Sequence, residues 1–535
     1  MHRALKSKNL YSTSPPENQF SKELPKMKNS VPKSKAPKCL WALGFSLLSS
    51  NLHAAKPNVV FIFSDDHATQ AISAYGSKIN HTPNIDRIAE EGALFEANFC
   101  ANSICGPSRA SILTGKHSHK NGFKSNGNRF DPNQMTFPKL LQKVGYRTAV
   151  FGKWHLGTNP TGFDQWMVYP GQGSYYKPDY LTPEGRKAIP GYSVEVTTDL
   201  ALDFLSKQKK DEPFLLMCQY KAPHRNWMPG PKYLTKYDDV SIPEPETLFD
   251  DYSKRASVLG KHKMGIDAHL SFFYDLKVEG HEDKRYAKYM NSFLGRMSKE
   301  QRQAWDAAYG PKNEAFLKSN LQGRELVRWK YQRYVKDYLR CVAAVDDGVG
   351  RILESLDKHG LSENSIVIYS SDQGFYLGEH GWYDKRWIYE ESLKMPLVMR
   401  WPGKIEAGTK ISKLTQNIDF APFFLEAAGA EVPDEIQGMS LMPLFKKQDA
   451  PWRKAIYYHY YEAGGHGVPV HYGVRDERYK LVHFPKAKEW NLVDLQKDPL
   501  EMQSFHDDPA YKETLDQMRA KLSDLQKKYG VDASL

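Results

Sequence analysis

The chain has 535 residues, of which 40% are hydrophobic and 26% are charged, so a single small domain, a disordered chain and a collagen-like chain are all excluded. Its formal net charge is +11, but residues 1–55 contain nine Lys and Arg against two Glu, so most of the excess lies in this segment. Because no basic stripe or DNA-reading motif accompanies the charge, we expect no nucleic-acid partner.

The first segment of the chain has the pattern of an export signal. Residues 1–38 are rich in Lys, Ser, Pro and Asn, which predicts disorder, and residues 39–55 are apolar. A short apolar stretch behind a basic region is typical of a secretory signal and is too short for a stable membrane span. We expect a start at Met27, cleavage near Ala54 or Ala55, and a secreted or periplasmic product. A membrane-tethering N-terminal helix is the alternative.

After the leader, apolar runs alternate with stretches of helical periodicity. The apolar runs have the composition of buried strands and cover Asn58–Ser64, Tyr146–Phe151, Phe214–Tyr220 and Ser365–Ser370. Between them, apolar residues recur at helical spacing over residues 196–205 and 339–356. Strands separated by helices predict an α/β fold in which helices flank a large, mostly parallel sheet on both faces.

Each predicted strand is followed by polar side chains suited to catalysis or metal binding. They are Asp65 and Asp66 after the first strand, Lys153 and His155 after the second, His224 after the third, and Asp372 and Gln373 after the fourth. Ligands of open α/β sheets bind beyond the carboxyl ends of the strands, so we expect these groups to meet at one edge. Taken alone, each acidic pair is a weak signal, because such residues also cap helices and form turns.

The segment Cys105-Gly-Pro-Ser-Arg109-Ala-Ser-Ile-Leu-Thr-Gly115 places a cysteine at the start of a predicted helix. Pro107 suits the first helical turn. The free amides and the positive dipole end of a helix N-terminus attract an anion such as sulfate, and Arg109 adds a charged donor one turn later. Because an electropositive setting makes a thiol reactive, we interpret Cys105 as a reactive residue and not as a buried structural one.

The rest of the chain predicts an insertion and a smaller subdomain. Residues 225–335 are charged and mixed in pattern, and they either shape the mouth of a site or decorate the surface. Short antiparallel strands and an amphipathic helix follow, over Ile456–Tyr461, Tyr472–Arg475, Tyr479–Phe484 and Lys512–Tyr529. We therefore divide the chain into a leader and signal (1–55), a catalytic domain (56–450) and a C-terminal α+β subdomain with an antiparallel sheet (451–535).

The segment from Cys105 resembles the signature of the type I sulfatases, Cys-x-Pro-Ser-Arg followed by Leu-Thr-Gly. The resemblance covers residues 56–500 approximately and implies an alkaline-phosphatase-like sandwich. In that family the cysteine is oxidised to formylglycine (3-oxoalanine), whose hydrated aldehyde is the nucleophile. Carried over to this chain, Cys105 is the modified residue, and a formylglycine-generating maturation enzyme is a partner.

The resemblance also implies roles for the polar residues at the strand ends. The metal site consists of Asp65, Asp66, Cys105, Asp372 and Gln373, with Ca²⁺ as the expected ion and Mg²⁺ as the alternative. The catalytic groups are Cys105 with Arg109, Lys153 and Lys385, which bind sulfate, and with His155 and His224, which exchange protons. Arg386 is adjacent to Lys385 and is the alternative for the last sulfate-binding position.

Within the family, residues 102–122, 160–166 and 374–386 look most like the carbohydrate sulfatases, in particular an N-acetylglucosamine-6-sulfatase-like branch. The expected substrate is a sulfated carbohydrate such as a glycosaminoglycan, a mucin glycan or an algal polysaccharide. One alternative is a phosphodiesterase or phosphonate monoester hydrolase on the same scaffold. The other is an inactive glycan-binding relative, which requires that a core group be missing, and every core group is present.

Overall fold

The computed structural model describes residues 56–446 and 450–532. The predicted leader, the start at Met27 and the cleavage near Ala54 or Ala55 lie outside the described residues. The strands are β1 (Asn58–Ser64), β2 (Ala93–Phe95), β3 (Asn98–Phe99), β4 (Arg147–Gly152), β5 (Gln165–Val168), β6 (Asp179–Thr182), β7 (Gly185–Ala188), β8 (Phe214–Gln219), β9 (Ser365–Ser371), β10 (Tyr376–Leu377), β11 (Tyr383–Asp384), β12 (Leu397–Arg400), β13 (Thr409–Ile411), β14 (Thr415–Gln416), β15 (Ala455–Tyr460), β16 (His471–Asp476), β17 (Tyr479–Phe484) and β18 (Glu489–Asp494). The α-helices are α1 (Pro83–Glu90), α2 (Cys105–Thr114), α3 (Ser118–Asn121), α4 (Phe137–Lys143), α5 (Ser193–Ser206), α6 (Ala287–Leu294), α7 (Lys299–Lys318), α8 (Gly323–Lys358), α9 (Glu390–Leu393), α10 (Phe420–Ala427), α11 (Met442–Lys446) and α12 (Lys512–Tyr529).

The large sheet has the strand order β13-β2-β12-β9-β1-β8-β4-β5-β6-β7. The four predicted strands are confirmed as β1, β4, β8 and β9, and they lie side by side with parallel pairing. Every residue of β1, β8 and β9 is buried, as is typical of strands covered on both faces. The predicted α/β class, a mostly parallel sheet flanked by helices, is therefore confirmed.

Two groups of helices cover the large sheet. Helices α1 and α5 pack against the long helix α8, and α10 packs against α2 and α4. The predicted helical stretches are confirmed as α5 and α8, where Phe204, Leu205, Val345 and Leu356 are among the buried residues. This packing holds the strands rigidly, so the residues just beyond their carboxyl ends have fixed positions.

A second, antiparallel sheet lies in the C-terminal region, with the strand order β15-β16-β17-β18. Helix α12 has the predicted bounds, and its Leu515, Met518 and Leu522 are buried in one cluster with Tyr457 and Leu481 of the sheet. The α+β character of this region is confirmed. The sequence did not predict β18, because Glu489–Asp494 mixes polar and apolar residues without clear alternation.

The insertion over residues 225–335 contains α6, α7 and the first part of α8. It is joined to the β10–β11 hairpin, because Tyr383 donates a backbone hydrogen bond to the carbonyl of Met264 and Ile266 donates one to Gly381. Lys385 follows this hairpin directly. In the part of the chain that the structure describes, no helix combines the length and the apolar character that crossing a bilayer demands.

Candidate functional site

Three carboxylates converge at the carboxyl edge of the large sheet. Asp65 and Asp66 follow β1, and Asp372 follows the neighbouring parallel strand β9, in which Ser371 pairs with Ser64. The backbone N–H of Asp66 donates to Oδ1 of Asp372 over 3.1 Å. One oxygen from each carboxylate lies within 4.8 Å of the others, and all three residues are fully buried.

Burial and the surrounding charges give the three carboxyl groups different pKa values, raised for Asp66 and Asp372 and lowered for Asp65. Burial raises the pKa of Asp66 to about 6, although Lys385 opposes the shift. Burial and the neighbouring Asp65 raise the pKa of Asp372 to about 8. Burial also acts on Asp65, but Lys153, with further cationic neighbours, holds its pKa well below the ordinary value. So compact a group of acids is stable in its ionised form only with strong positive charge beside it.

The oxygen atoms of this cluster fit a hard divalent cation. The side chain of Gln373 donates through Nε2 to Asp66, and its Oε1 is buried without a hydrogen-bond partner. Oδ1 of Asp65 also accepts no hydrogen bond, although Nη2 of Arg109 lies 3.6 Å away. Carboxylate and amide oxygens are the ligands that Ca²⁺ and Mg²⁺ prefer. The predicted acidic and amide ligands are thus brought together, and Sγ of Cys105 lies with Asp65 in a second such group.

Cys105 is the first residue of α2 and lies against the carboxylates. Its Sγ is 3.9 Å from Oδ1 of Asp66, and the side chain is buried. Burial and the negative charge of Asp65 raise the pKa of the thiol well above its ordinary value, so an unmodified thiol stays protonated. The interpretation of Cys105 as a thiol made reactive by an electropositive setting is therefore wrong for the unmodified side chain, because burial and Asp65 outweigh the nearby lysines. A side chain at the next residue, Gly106, would place Cβ 2.6 Å from the ring of Phe123 and 3.0 Å from Oδ1 of Asn126. Only glycine allows this close approach.

Arg109 positions Asp372 and the neighbouring strand ends. Its Nε and Nη2 donate to Oδ2 of Asp372 over 3.0 and 2.9 Å. Its Nη1 donates to the carbonyl of Lys153 and, over 3.2 Å, to Oε1 of Gln219. The guanidinium also lies 4.7 Å from the centroid of the Phe63 ring. Arg109 therefore links the helix that begins at Cys105 to three strand ends.

Two lysines neutralise the acidic cluster from opposite parts of the chain. Lys153 follows Gly152, which has a φ of +102° and where a Cβ would clash with the carbonyl of Gln219. The Nζ of Lys153 contacts Asp65. Nζ of Lys385 lies 2.6 Å from Oδ2 of Asp66. Burial would lower the pKa of Lys385, but Asp66 and other anionic neighbours raise it well above the ordinary value. Both ammonium groups thus form ion pairs inside the cluster.

The structure separates the roles of Lys385 and Arg386. Nη1 of Arg386 donates to the hydroxyl of Tyr460 over 2.9 Å and to Oε1 of Glu462 over 3.1 Å, both in the C-terminal region. Its Nε lies 3.5 Å from Oδ2 of Asp384. Of the two neighbours, Lys385 is therefore the one that contacts Asp66, and Arg386 connects the hairpin to the C-terminal sheet.

The two predicted histidines lie at the same edge. Nδ1 of His224 is 2.6 Å from the carbonyl of Arg225, which fixes Nδ1 as the protonated nitrogen and directs Nε2 toward Oδ2 of Asp66 at 3.8 Å. His155 has a φ of +57°, and its Nδ1 has no hydrogen-bond partner. Burial, together with the charge of Lys153, lowers the pKa of both rings well below the ordinary value. Both are neutral bases in this environment.

Sequence reasoning missed several residues that complete the site. Gln172 lies between Lys153 and His155, with its Nε2 3.3 Å from Nε2 of His155. Asn126 accepts the backbone N–H of Gly106 over 3.0 Å. Lys221 lies two residues beyond β8 and is buried, and burial lowers its pKa to about 7. The strand-end rule applies equally to Lys221, whereas Gln172 and Asn126 lie in loops that no periodicity marks.

Comparison with known families matches almost the whole described chain. The sequence profile of the Sulfatase family matches residues 57–430. A second profile, described as the C-terminal part of N-sulphoglucosamine sulphohydrolase, matches residues 378–528. The first match contains the polar residues at the strand ends, and the second contains Lys385 and the antiparallel sheet.

Individual sulfatases and solved structures are also similar to this chain in sequence or in fold. An N-acetylglucosamine-6-O-sulfatase from Bacteroides thetaiotaomicron is 45% identical over 484 residues, 89% of this chain and 87% of that protein. A solved structure of a protein in complex with its substrate D-glucosamine-2-N,6-O-disulfate superimposes with a TM-score of 0.87 at 44% identity, covering 89% of this chain and 99% of that one. A phosphonate monoester hydrolase from Silicibacter pomeroyi shares the fold, with a TM-score of 0.65 at 20% identity over 88% of this chain and 96% of that one.

Proposed function

Since this chain belongs to the sulfatase family and is a sulfuric ester hydrolase, we propose that it removes the 6-O-sulfate from glucosamine residues of sulfated saccharides. The observation that carries the proposal is the 45% identity to an N-acetylglucosamine-6-O-sulfatase along 89% of the chain. The likeness to a structure that holds D-glucosamine-2-N,6-O-disulfate also supports it. Glucosamine is a unit of glycosaminoglycans and mucin glycans, so these polymers are the expected sources of substrate.

Asp65, Asp66, Asp372 and Gln373 would hold Ca²⁺, with Mg²⁺ as the alternative. The two buried oxygens without hydrogen bonds, Oδ1 of Asp65 and Oε1 of Gln373, support this assignment. When bound, the ion supplies positive charge that stabilises the sulfuryl oxygens and acidifies a nearby hydroxyl. Lys153 pairs with Asp65 and holds its pKa low, and Lys385 pairs with Asp66 and opposes the rise that burial causes in its pKa.

Cys105 would be converted to formylglycine by a maturation enzyme. Its place at the first turn of α2, beside three carboxylates, and the raised pKa of the thiol support the conversion, because a protonated thiol is a weak nucleophile. Formylglycine supplies a hydrated aldehyde with two hydroxyls, one to attack sulfur and one to expel sulfate afterwards. The closely packed Gly106 keeps this side chain in one position.

The remaining residues bind the sulfate and move protons. Lys153 and Lys385 face the acidic cluster from two sides and bind the sulfuryl oxygens, while Arg109 holds Asp372 in place. His224 presents the lone pair of Nε2 to the cluster, and once that nitrogen has taken up a proton His224, with Lys385, protonates the departing sugar oxygen. His155 takes the proton that must leave before sulfate is released. Its lowered pKa keeps it unprotonated before the reaction begins.

The leader and the domain boundaries are part of the same proposal. We propose export through residues 1–55, because a basic region precedes a short apolar stretch there. We propose a boundary between residues 56–450 and 451–535, because the C-terminal sheet and α12 bury an apolar cluster of their own. Arg386 and Lys385 lie in the first of these parts, and Glu462, which Arg386 contacts, lies in the second.

The test is sulfate release from a panel of defined sugars. The panel contains glucosamine and N-acetylglucosamine sulfated at the 3- or 6-oxygen, N-acetylgalactosamine 6-sulfate, and an N-acetylglucosamine 6-phosphate control. The protein is co-expressed with a formylglycine-generating enzyme, and the modification is verified by mass. Release from the 6-O-sulfated glucosamine sugars alone supports the proposal. Preference for another sulfated sugar, or for the phosphate ester, contradicts it.

A further inference from the structure

A cavity of about 710 Å³ lies beside the catalytic residues and has no role in the scheme above. It begins at His155 and Asn126, both of which approach the first turn of α2: the position where a side chain of Gly106 would stand is 3.1 Å from the carbonyl of His155 and 3.0 Å from Oδ1 of Asn126. The volume lies in the range of ligand-binding pockets. The cavity therefore shares His155 with the proposed catalytic site, and two of its lining residues contact the residue that follows Cys105.

The walls of this cavity suit a sugar. Trp154 and Tyr169 contribute aromatic surface, and Thr158, Asn159 and Thr161 contribute polar groups. The hydroxyls of Thr158 and Thr161 donate to the carbonyls of Phe130 and Pro132, which fixes both side chains in the wall. Aromatic side chains beside polar groups are a common means of binding a pyranose, which has apolar ring faces and hydroxyls at its edge.

One cation lines the cavity, and it is unengaged. Among residues 56–446 and 450–532, nothing forms an ion pair or a side-chain hydrogen bond with Arg129, and none of the described residues lining the cavity is acidic. The backbone on either side is fixed, because Phe130 donates to the carbonyl of Leu156 over 3.0 Å. The stem of Arg129 also passes 3.5 Å from where a side chain of Gly157 would stand. Its guanidinium is thus available to bind an anion from outside the protein.

We propose that this cavity is a second saccharide subsite, in which Arg129 binds the sulfate or carboxylate of the sugar next to the one that is desulfated. The inference rests on the proposed function, since it requires a sulfated sugar at Cys105. Arginine binds planar carboxylates and sulfates through paired hydrogen bonds, so it suits either anion. The enzyme then prefers acidic oligosaccharides over single sugars and over neutral oligosaccharides.

The experiment compares four substrates that carry 6-O-sulfated N-acetylglucosamine: the monosaccharide, and disaccharides whose second sugar is a uronic acid, its carboxyl-reduced neutral counterpart, or a sulfated hexose. We expect kcat/KM for the acidic disaccharides to exceed that for the neutral disaccharide about tenfold. The substitution Arg129→Gln removes this preference, and Arg129→Lys retains part of it. Arg324→Gln, at an exposed arginine near the start of α8, leaves the preference unchanged.

The outcomes separate the two proposals. Equal values of kcat/KM for acidic and neutral disaccharides in the parent, or an unchanged preference in Arg129→Gln, overturn the subsite while desulfation stands. A preference for only one of the two acidic disaccharides supports the subsite and identifies its anion. If the matured parent desulfates none of the four, the proposed function fails and the subsite fails with it. A thermal unfolding midpoint of Arg129→Gln equal to that of the parent verifies that the variant folds.

Discussion

Nζ of Lys385 lies 2.6 Å from Oδ2 of Asp66, and this ion pair joins two residues that are 319 positions apart in the chain. Asp66 comes from the end of a central strand, whereas Lys385 follows a short hairpin that the insertion holds in place. Asp66 therefore has this cationic partner only when the hairpin is correctly docked. Several consequences of this arrangement can be measured.

Lys385→Ala is expected to lower kcat about 10²–10³-fold, because it removes one of the cations that face the sulfuryl group. Arg386→Ala is the matched comparison, since Arg386 contacts Glu462 and Tyr460 and not the carboxylates at the strand ends. Steady-state kinetics on a 6-O-sulfated glucosamine sugar measure both. A larger loss in Arg386→Ala than in Lys385→Ala would show that the adjacent arginine has the role assigned to the lysine.

Cys105→Ser is expected to abolish repeated turnover in a host that does not modify serine, because a single hydroxyl cannot both attack sulfur and expel sulfate. Cys218→Ala is the control: this residue is buried within β8, away from the helix that begins at Cys105. Sulfate release over many enzyme equivalents, with the modification state determined by mass, is the measurement. Full turnover by Cys105→Ser contradicts the proposed nucleophile.

Ca²⁺ is expected to stabilise the folded protein by about 2.7 kcal/mol when its concentration is one hundred times Kd. Asp372→Asn should remove most of this increment, because it deletes a charged ligand. Asp346→Asn serves as control, since this buried carboxylate accepts the backbone N–H groups of Asn84 and Ile85 and lies outside the acidic cluster. The control variant melts at a lower temperature but keeps the calcium increment. The measurement is the thermal melting of each protein after treatment with a chelator, with and without added Ca²⁺. An equal stabilisation by Ca²⁺ in the parent, Asp372→Asn and Asp346→Asn would contradict this metal site.

The calcium increment is expected to grow as the pH rises from 5.5 to 8. Without the ion, burial raises the pKa of Asp66 to about 6 and of Asp372 to about 8, so the folded protein keeps protons that the unfolded chain has lost. The stability contributed by these two groups is present at low pH and is lost as the pH rises through their folded-state pKa values. The ion replaces those protons and binds more tightly at higher pH. Melts across this range measure the effect, and an increment that shrinks toward pH 8 contradicts the account.

Lys480→Ala is expected to destabilise the fold by about 3–5 kcal/mol, because it leaves the buried carboxylate of Glu501 without its cation, whereas Glu390 keeps Arg475. Nζ of Lys480 lies 2.8 Å from both Glu390 and Glu501, which links the C-terminal sheet to α9. Lys521→Ala is the matched control: its partner is Asp476, its own side chain is 42% exposed, and its loss should cost under about 1 kcal/mol. The shift of the thermal unfolding midpoint measures the loss of stability in both variants. Similar shifts would mean that the buried ion pair contributes no more to stability than the exposed one.

The sequence predicted the part of the fold that depends on local pattern. The fully apolar runs became β1, β4, β8 and β9, and α12 has the predicted bounds, because burial on both faces and helical periodicity are both visible in single segments. The strands β2, β12 and β13, on one side of the large sheet, are short and are defined by pairing with distant partners, so no local pattern marks them.

In the candidate site too, the residues marked by a local pattern were predicted and those brought in by distant packing were not. The strand-end rule located Asp65, Lys153, His224 and Asp372, since parallel strands carry their next residues to one edge. Gln172 and Asn126 come from loops whose course depends on the packing of the whole chain, so only the structure brings them to Lys153 and Gly106. The roles of Lys385 and Arg386 could be distinguished only by where the two side chains lie.

The most direct test of the central claim is sulfate release from N-acetylglucosamine 6-sulfate by protein whose Cys105 has been converted, with Cys105→Ala prepared in the same way. The account predicts that the parent releases sulfate over many turnovers and that the variant, folded and melting near the parent's temperature, releases none. Equal release by the two proteins, or none by the parent after verified conversion, would contradict the assignment of this site as a glucosamine-6-sulfatase centre.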